Sequence, residues 1–382
     1  MKVSVLQQAS LSNDDYGAKP AQDEIEVTVI GPGFGETILV HVGEGKWFIV
    51  DSCASSTSSE PESLRYLKEI GVSPESVFAV FVTHWDDDHC KGMAKVVSAC
   101  SNAKVVMSKA FVEKDFLAYT TAVSKPLTMK VRAGPKEILG VVGEMSEKKR
   151  TIVGASAERR IFNASGLGLE GGIETEIWTF SPSDEEYENF LLWVAEQMPK
   201  PDETRRVAVK RIRNDLSVVI YVRIGSDVIL LGGDLEEEGK AATGWSAILA
   251  LQGKPEAKAH VFKVPHHGSQ TGHHEGMAKA LLTDEVIAIV APFKNGSVSL
   301  PDSKDVERIC GFSKEAHATA SLRSRSSTKH DRTVQKTIDE VTRRFTTPRE
   351  DPGMVRLRKK IGNGQAWQKE YFGSATSLSE IL

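Results

Sequence analysis

Within six residues the chain places two imidazoles and three carboxylates: His84, Asp86, Asp87, Asp88 and His89. They follow at once on Ala79-Val80-Phe81-Val82, a bare apolar run with a β-branched and aromatic bias that reads as a buried strand. Gly92 stands three positions further on. Charge packed this densely against the end of a buried strand is costly unless something positive neutralises it. A divalent cation does this well, because His and Asp at alternate positions can converge on one ion while the next pair reaches a second. The bland alternative is a solvated acidic turn that happens to carry two histidines.

The elements that must position these groups come next. Ile25, Val27 and Val29 alternate with polar neighbours, a half-buried strand, and the turn Gly31 to Glu36 follows. Thr37 to Val42 and Trp47 to Val50 make a hairpin ending at Asp51, and Glu60 to Ile70 has the start and stop signals of a helix. A further helix is expected over Lys91 to Ala99 and a strand over Lys104 to Met107. Asn214-Asp215-Leu216-Ser217 opens a second hairpin, whose apolar strand Val228 to Leu231 runs into Gly232-Gly233-Asp234. A helix over Glu237 to Leu251 and a strand over Ala259 to Val264 then lead to Pro265-His266-His267-Gly268-Ser269. Residues 110 to 213 say least; they read as a diverged middle with insertions around a site mouth. They hold basic clusters at Lys148, Lys149 and Arg150, at Arg159 and Arg160, and at Arg205, Arg206, Lys210, Arg211 and Arg213.

Composition bounds the rest. Forty per cent hydrophobic residues in 382 suffice for a sizeable core. No apolar run is long enough for a transmembrane helix, and Met1 to Asp23 lacks the apolar stretch of a signal peptide. Cys53, Cys90, Cys100 and Cys310 form no C-x-x-C pair, which fits a reduced, cytoplasmic setting. Cys90 beside His89 could be a ligand or a reactive thiol; a small helix-start residue is the simpler reading. Net charge is −4, yet residues 321 to 370 hold 13 Lys and Arg against 6 Asp and Glu, an excess of seven that leaves the remainder near −11. A basic segment on an acidic body is compatible with an anionic partner or substrate, and equally with a solvated surface.

His84-Trp85-Asp86-Asp87-Asp88-His89 resembles the His-x-His-x-Asp-His signature of metallo-β-lactamase-fold hydrolases, with Asp86 where the second His usually stands. The Asp variant is similar to the soluble hydrolase domain of the competence DNA-uptake protein ComEC and its free-standing relatives. The strand, Gly-rich turn and hairpin ending at Asp51, the Asn214-x-x-Ser217 opening, Gly-Asp-Leu-Glu at 233 to 236 and Val-Pro-His-His-Gly-Ser at 264 to 269 resemble that branch too. The resemblance implies an α/β fold, a metallo-β-lactamase-like αββα sandwich with insertions. It spans residues 24–320, after a flexible leader at 1–23 and before a basic C-terminal extension at 321–382, whose strands Met354 to Lys359 and Ala366 to Phe372 could pair and either add to a sheet edge or form a small accessory piece.

The same resemblance implies two divalent metal ions, zinc or manganese with magnesium possible. His84 and Asp86 would bind one, Asp88, His89 and His266 the other, with Asp234 between them. His267 would face substrate as proton donor or oxyanion stabiliser, the reverse assignment of the two histidines remaining open; Asp88 and His267 are the expected catalytic pair. Asp51 would orient ligands from behind, and Glu36 stands where the family has an acid. Asn214 and Ser217 stand where other branches have a His ligand, and Leu300-Pro301 where relatives have His-Pro. The implied activity is metal-dependent hydrolysis by an activated water, on nucleic acid or another phosphodiester, without a membrane part. The alternatives are a hydrolase of small esters, lactones or nucleotides, and a metal-bound but inactive module that docks to partner proteins.

Overall fold

The computed structural model describes residues 16–31, 33–54, 59–124, 133–197, 214–321 and 353–380. Residues 322–352 of the basic C-terminal extension and the basic residues from Arg205 to Arg213 lie outside them.

Two eight-stranded sheets face each other. The first contains β1 (Glu24–Ile30), β2 (Thr37–His41), β3 (Trp47–Val50), β4 (Val77–Val82), β5 (Lys104–Ser108) and β6 (Ile152–Ala155), in that order across the sheet. It is extended past β1 by β16 (Met354–Lys360) and β17 (Gln368–Phe372). The second runs β7 (Arg159–Asn163), β8 (Thr175–Thr179), β9 (Ile220–Ile224), β10 (Asp227–Leu231), β11 (Ala259–Lys263), β12 (Leu282–Val290), β15 (Glu315–Ala318) and β18 (Thr376–Ser377). β13 (Phe293–Asn295) and β14 (Val298–Leu300) form a separate hairpin. The strands β3 to β6 are parallel, as are β10, β11, β12 and β15.

Alternation along the strands sorts side chains into three apolar layers. In β4, Ala79 and Phe81 point between the sheets, while Val80 and Val82 point outward to the helices. A strand covered on both faces must be apolar throughout, which is why this one shows no polar alternation. The first outer layer consists of α1 (Glu62–Glu69), α3 (Met93–Ala99), α4 (Lys114–Ser124), α5 (Ala133–Glu147) and α7 (Asp184–Gln197). The second consists of α8 (Gly244–Ala250), α9 (Glu275–Leu281) and α10 (Ser303–Phe312). Two one-turn helices, α2 (Asp87–Cys90) and α6 (Ala164–Leu167), lie in loops. The fold is thus the four-layer α/β/β/α arrangement of the metallo-β-lactamase type. No helix among the described residues is long and apolar enough to cross a membrane.

Three expectations change. The middle of the chain is more than insertions at a site mouth: it supplies β6 and β7, which continue the two sheets, and α5, which packs on α3. That helix is hard to read because Pro135 and Gly134, Gly140 and Gly143 dilute its helical propensity. Gly140 is needed for the packing, since a Cβ there would lie 3.1 Å from Ala94 Cβ. The helix expected from Glu237 is confined to α8, because Gly239 and Gly244 take left-handed φ of +73° and +60°. And α3 begins at Met93, with the residues before it forming α2.

The C-terminal segment is built into the sandwich rather than appended to it. Along its whole length β16 pairs antiparallel with β1, and β18 pairs with β15 of the other sheet. Val355 and Leu357 lie in the layer between the sheets. Removing β16, with β17 beyond it, exposes core and an unpaired β1. Leu357→Ala is therefore expected to cost about 2–5 kcal/mol of global stability, measured as a shift of the single denaturant transition. An unshifted transition would mean that this segment folds independently of the sandwich.

Candidate metal centre

The C-terminal ends of β3, β4, β10 and β11 meet where the two sheets abut, and the residues just past each end supply the site. After β3 comes Asp51, in the left-handed region at φ +57° and buried. Its Oδ1 accepts the Thr83 backbone N–H at 2.8 Å, and its Oδ2 accepts the Thr83 hydroxyl at 2.6 Å and His89 Nδ1–H at 2.7 Å. One carboxylate thus ties the end of β3 to the loop after β4 and fixes a ring. Trp85 anchors the same loop from the other side, buried among Phe111, Phe116 and Phe190. Asp87 turns away from the cluster, its Oδ1 accepting the Gly134 N–H at 2.8 Å and holding α5 to the loop.

Three histidines each have Nδ1 engaged, which leaves Nε2 to face the cluster. Besides His89, His267 donates Nδ1–H to the Ala291 carbonyl at 2.9 Å. Thr83 spends its hydroxyl proton on Asp51, so its Oγ1 accepts from His84 Nδ1 at 2.9 Å. The Nε2 atoms converge on Asp234. Its Oδ2 lies 3.2 Å from His89 Nε2, 3.4 Å from His267 Nε2 and 3.8 Å from His84 Nε2. Asp88 Oδ2 is 3.1 Å from His267 Nε2. One group of candidate ligand atoms comes from Asp88, His89, Asp234 and His267, and a second from Asp51, His84 and His89, each within 4.8 Å of one another. His84 Nε2 and His89 Nε2 are buried with no hydrogen-bond partner. Orphaned imidazole nitrogens beside carboxylates, with their other nitrogens tied to oxygen, are the pattern of metal ligands held by an outer shell. The residues present fit a divalent cation.

The structure separates the two adjacent histidines in the order opposite to that expected. His266 and His267 both take left-handed φ, +47° and +53°, and this twist sends the rings apart. His267 is buried in the cluster, whereas the His266 side chain keeps 19 % of its surface exposed. Its Nδ1 reaches Thr271 Oγ1 at 2.8 Å and Glu236 Oε1 at 3.3 Å, and its Nε2 faces Asn214 Nδ2 at 3.3 Å. Asn214 also donates to Glu236 at 2.8 Å, while its Oδ1 is buried without a partner. Ser217 Oγ accepts the Asp234 N–H at 2.8 Å and so fixes the loop that carries it. Asp86 starts α2 and lies outside both four-residue and three-residue groups. Cys90 is structural: its Sγ–H donates to the His84 carbonyl, and burial raises its thiol well above the ordinary range.

Glu36 and one residue that was not anticipated complete the centre. Lys263, at the end of β11, is buried and pairs with Glu36 Oε1 at 2.6 Å. A lysine closing an apolar strand ordinarily snorkels to solvent, so nothing in the sequence marked it. At the mouth, Phe293 lies against His267 with ring centroids 5.1 Å apart, and the exposed Phe34 packs on Phe293.

Charge sets the protonation of the cluster. Burial opposes the charged form of His89, but Asp234 and Glu36 prevail and hold it well above the ordinary imidazole range. His267 is likewise pushed up, against burial, to about 10 by Asp234 and Asp88. The imidazoles in turn hold Asp88 and Asp234 low despite their burial. His84, desolvated and beside His89, is lowered.

Residues 30–157 match the family model described as Metallo-beta-lactamase superfamily, a stretch that carries Asp51, His84, Asp88 and His89. The matched stretch resembles that superfamily and covers about a third of the chain. The metallo-beta-lactamase fold protein YhfI from Bacillus subtilis is similar in structure at 12% identity, over 77% of this chain and 95% of its own, with a TM-score of 0.38. A HARLDQ-motif mutant of a metallo-beta-lactamase from Cronobacter sakazakii is 13% identical over 62% of this chain and 75% of its own, with a TM-score of 0.35. The hydrolase AbOPH of the beta lactamase superfamily is 15% identical over 56% and 72%, with a TM-score of 0.33. Scores and identities this low establish neither branch nor activity, and none of these three is described as a competence protein. No protein of curated function matches the sequence.

A cation binding here must displace the protons that the carboxylates hold on His89 and His267. Metal affinity is therefore expected to fall as pH is lowered, and about two protons should be released per ion near pH 7. Calorimetric titration in buffers of different ionisation enthalpy measures this number. Binding without proton release would exclude these two imidazoles as ligands.

Proposed function

We propose that this protein is a metal-dependent hydrolase acting on phosphodiesters. The observation that carries the reading is the convergence of His84, His89 and His267 Nε2 with Asp88 and Asp234 in one buried pocket, every Nδ1 already engaged. Asp88, His89, Asp234 and His267 would hold one cation, and His84 with Asp86 would reach toward a second. Divalent ions bound there would activate a water and stabilise charge developing on a phosphoryl or acyl oxygen. Asp51 and the Ala291 carbonyl keep the two imidazoles turned inward, and Ser217 holds the Asp234 loop. Carboxylates contribute as many donors as imidazoles to the four-residue group, an oxygen-rich set that accepts manganese or magnesium as well as zinc. Such a set favours phosphodiesters, whose own oxygens are hard donors. His266, hydrogen-bonded at the rim beside Asn214 and Glu236, takes the place of a group that could meet substrate.

A second reading has its own support. Several of the described basic residues have partners within the fold. Arg150 donates to the carbonyls of Val97, Cys100 and Ala103, Arg159 to Gly154, and Arg160 lies over Trp178. Cations engaged in this way favour a small ester, lactone or nucleotide over a polymer.

Purified protein is to be assayed on single- and double-stranded DNA and RNA, and on small nucleotide diesters, with manganese, magnesium or zinc. Asp88→Ala/His267→Ala serves beside it. Metal-dependent cleavage should fall in that variant by more than the roughly 100-fold that loss of an outer-shell partner costs. Turnover of small diesters alone would select the second reading. A wild type that binds metal and cleaves none of these would end the phosphodiesterase assignment.

A further inference from the structure

Lys263 is the one buried ammonium beside the cluster among the described residues, and a costly one. It occupies the last position of β11, two residues after Val261 and on the same face, in the layer between the sheets. An apolar residue there would continue the core without desolvating a charge. Its Nζ meets three oxygens instead. Glu36 Oε1 is at 2.6 Å, the Gly233 carbonyl at 3.2 Å and Asp234 Oδ1 at 3.8 Å. The last is an ion pair rather than a hydrogen bond, and Asp234 Oδ1 has no other partner. Asp234 is thereby split: Oδ1 faces the ammonium, while Oδ2 faces the three imidazoles.

We propose that Lys263 is a positioning residue for the metal centre, whose ammonium orients Asp234 so that Oδ2 alone is presented to the cation. This rests on the metal-centre reading above. The ammonium holds both the Asp234 side chain and the carbonyl of the residue before it, so it fixes the loop as well as the carboxylate. The loop needs such a hold because Gly233 is in the left-handed region, at φ +53°. That same carbonyl also accepts the His266 N–H at 3.1 Å, so Lys263 joins the loop after β10 to the loop after β11. Glu36 supplies the second carboxylate of the pair, and its own N–H is bound to the Asp88 carbonyl at 3.0 Å.

The competing explanation is that Lys263 exists only to neutralise Glu36. The two are separated by Lys263→Met and the double variant Lys263→Met/Glu36→Gln. The double variant removes both members of the Lys263–Glu36 pair, so that of the contacts of the ammonium only those to the Gly233–Asp234 loop are lost without compensation. Manganese and zinc affinities are measured by calorimetry and chelator competition on protein whose fold is checked by circular dichroism, alongside thermal stability. If Lys263 positions Asp234, the double variant recovers thermal stability relative to Lys263→Met, yet its metal affinity stays about 10- to 100-fold below wild type. Wild-type affinity in the double variant would overturn the proposal and leave the metal centre intact. A wild type that takes up no metal would remove both.

Discussion

The constraint on which this structure depends is the burial of four carboxylates, those of Glu36, Asp51, Asp88 and Asp234, where two sheets abut. Water cannot solvate them there, so each must find donors or cations within the protein. Lys263 is a single fixed positive charge in their midst. The imidazoles make up part of the difference by retaining protons, which is why His89 and His267 are held high although burial alone would lower them. A proton is a poor substitute for a divalent ion at such a point, since it satisfies one contact where three or four oxygens and nitrogens converge.

The scaffold delivers these groups by a repeated local device. Parallel strands end side by side, and after three of them the chain passes through residues held in the left-handed region: Asp51 after β3, Gly233 after β10, His266 and His267 after β11. For residues with a Cβ this conformation costs of order 1–3 kcal/mol each and persists only where surrounding contacts enforce it. Those contacts are visible. Asp51 is held by three donors, and Gly268 after the histidines is enclosed so tightly that a Cβ would come within 3.1 Å of Ile309, Pro301 and Val290. Strain concentrated on ligand-bearing residues and offset by packing behind them is the signature of a pre-formed site.

Much of this was legible in the sequence, and what was not has identifiable physical causes. The apolar strand before His84, the Asp closing each hairpin and the histidine pair after β11 are all visible as abrupt changes from apolar to polar at strand ends. The choice between His266 and His267 is not, because it turns on two consecutive positive φ angles that residue type does not predict. Lys263 was invisible for a related reason: its partner Glu36 is 227 positions away, and only the facing of the two sheets brings them together. In α5, packing overrides weak propensity, as its glycines permit the close contact with α3 that stabilises it.

The basic C-terminal segment shows how a charge count can mislead. As composition it resembles a polyanion-binding tail, yet in its described part many of the charges have partners. Arg356 pairs with Glu370, Arg358 with Glu26, Lys359 with Asp227, Lys360 with Asp23 and Lys369 with Glu315. Four of those acids, Asp23, Glu26, Asp227 and Glu315, belong to the acidic body that the tail appeared merely to accompany. The opposite charges are therefore halves of one interaction, made as β16 closes the edge of the first sheet. Arg356 illustrates the depth of this fit: it is buried, donates to the Tyr16 carbonyl at 2.7 Å and lies over the Phe372 ring. Charge committed in this way is not available to a phosphate backbone. In the described part of that segment the paired charges serve the sandwich itself, tying β16 to the body it packs on.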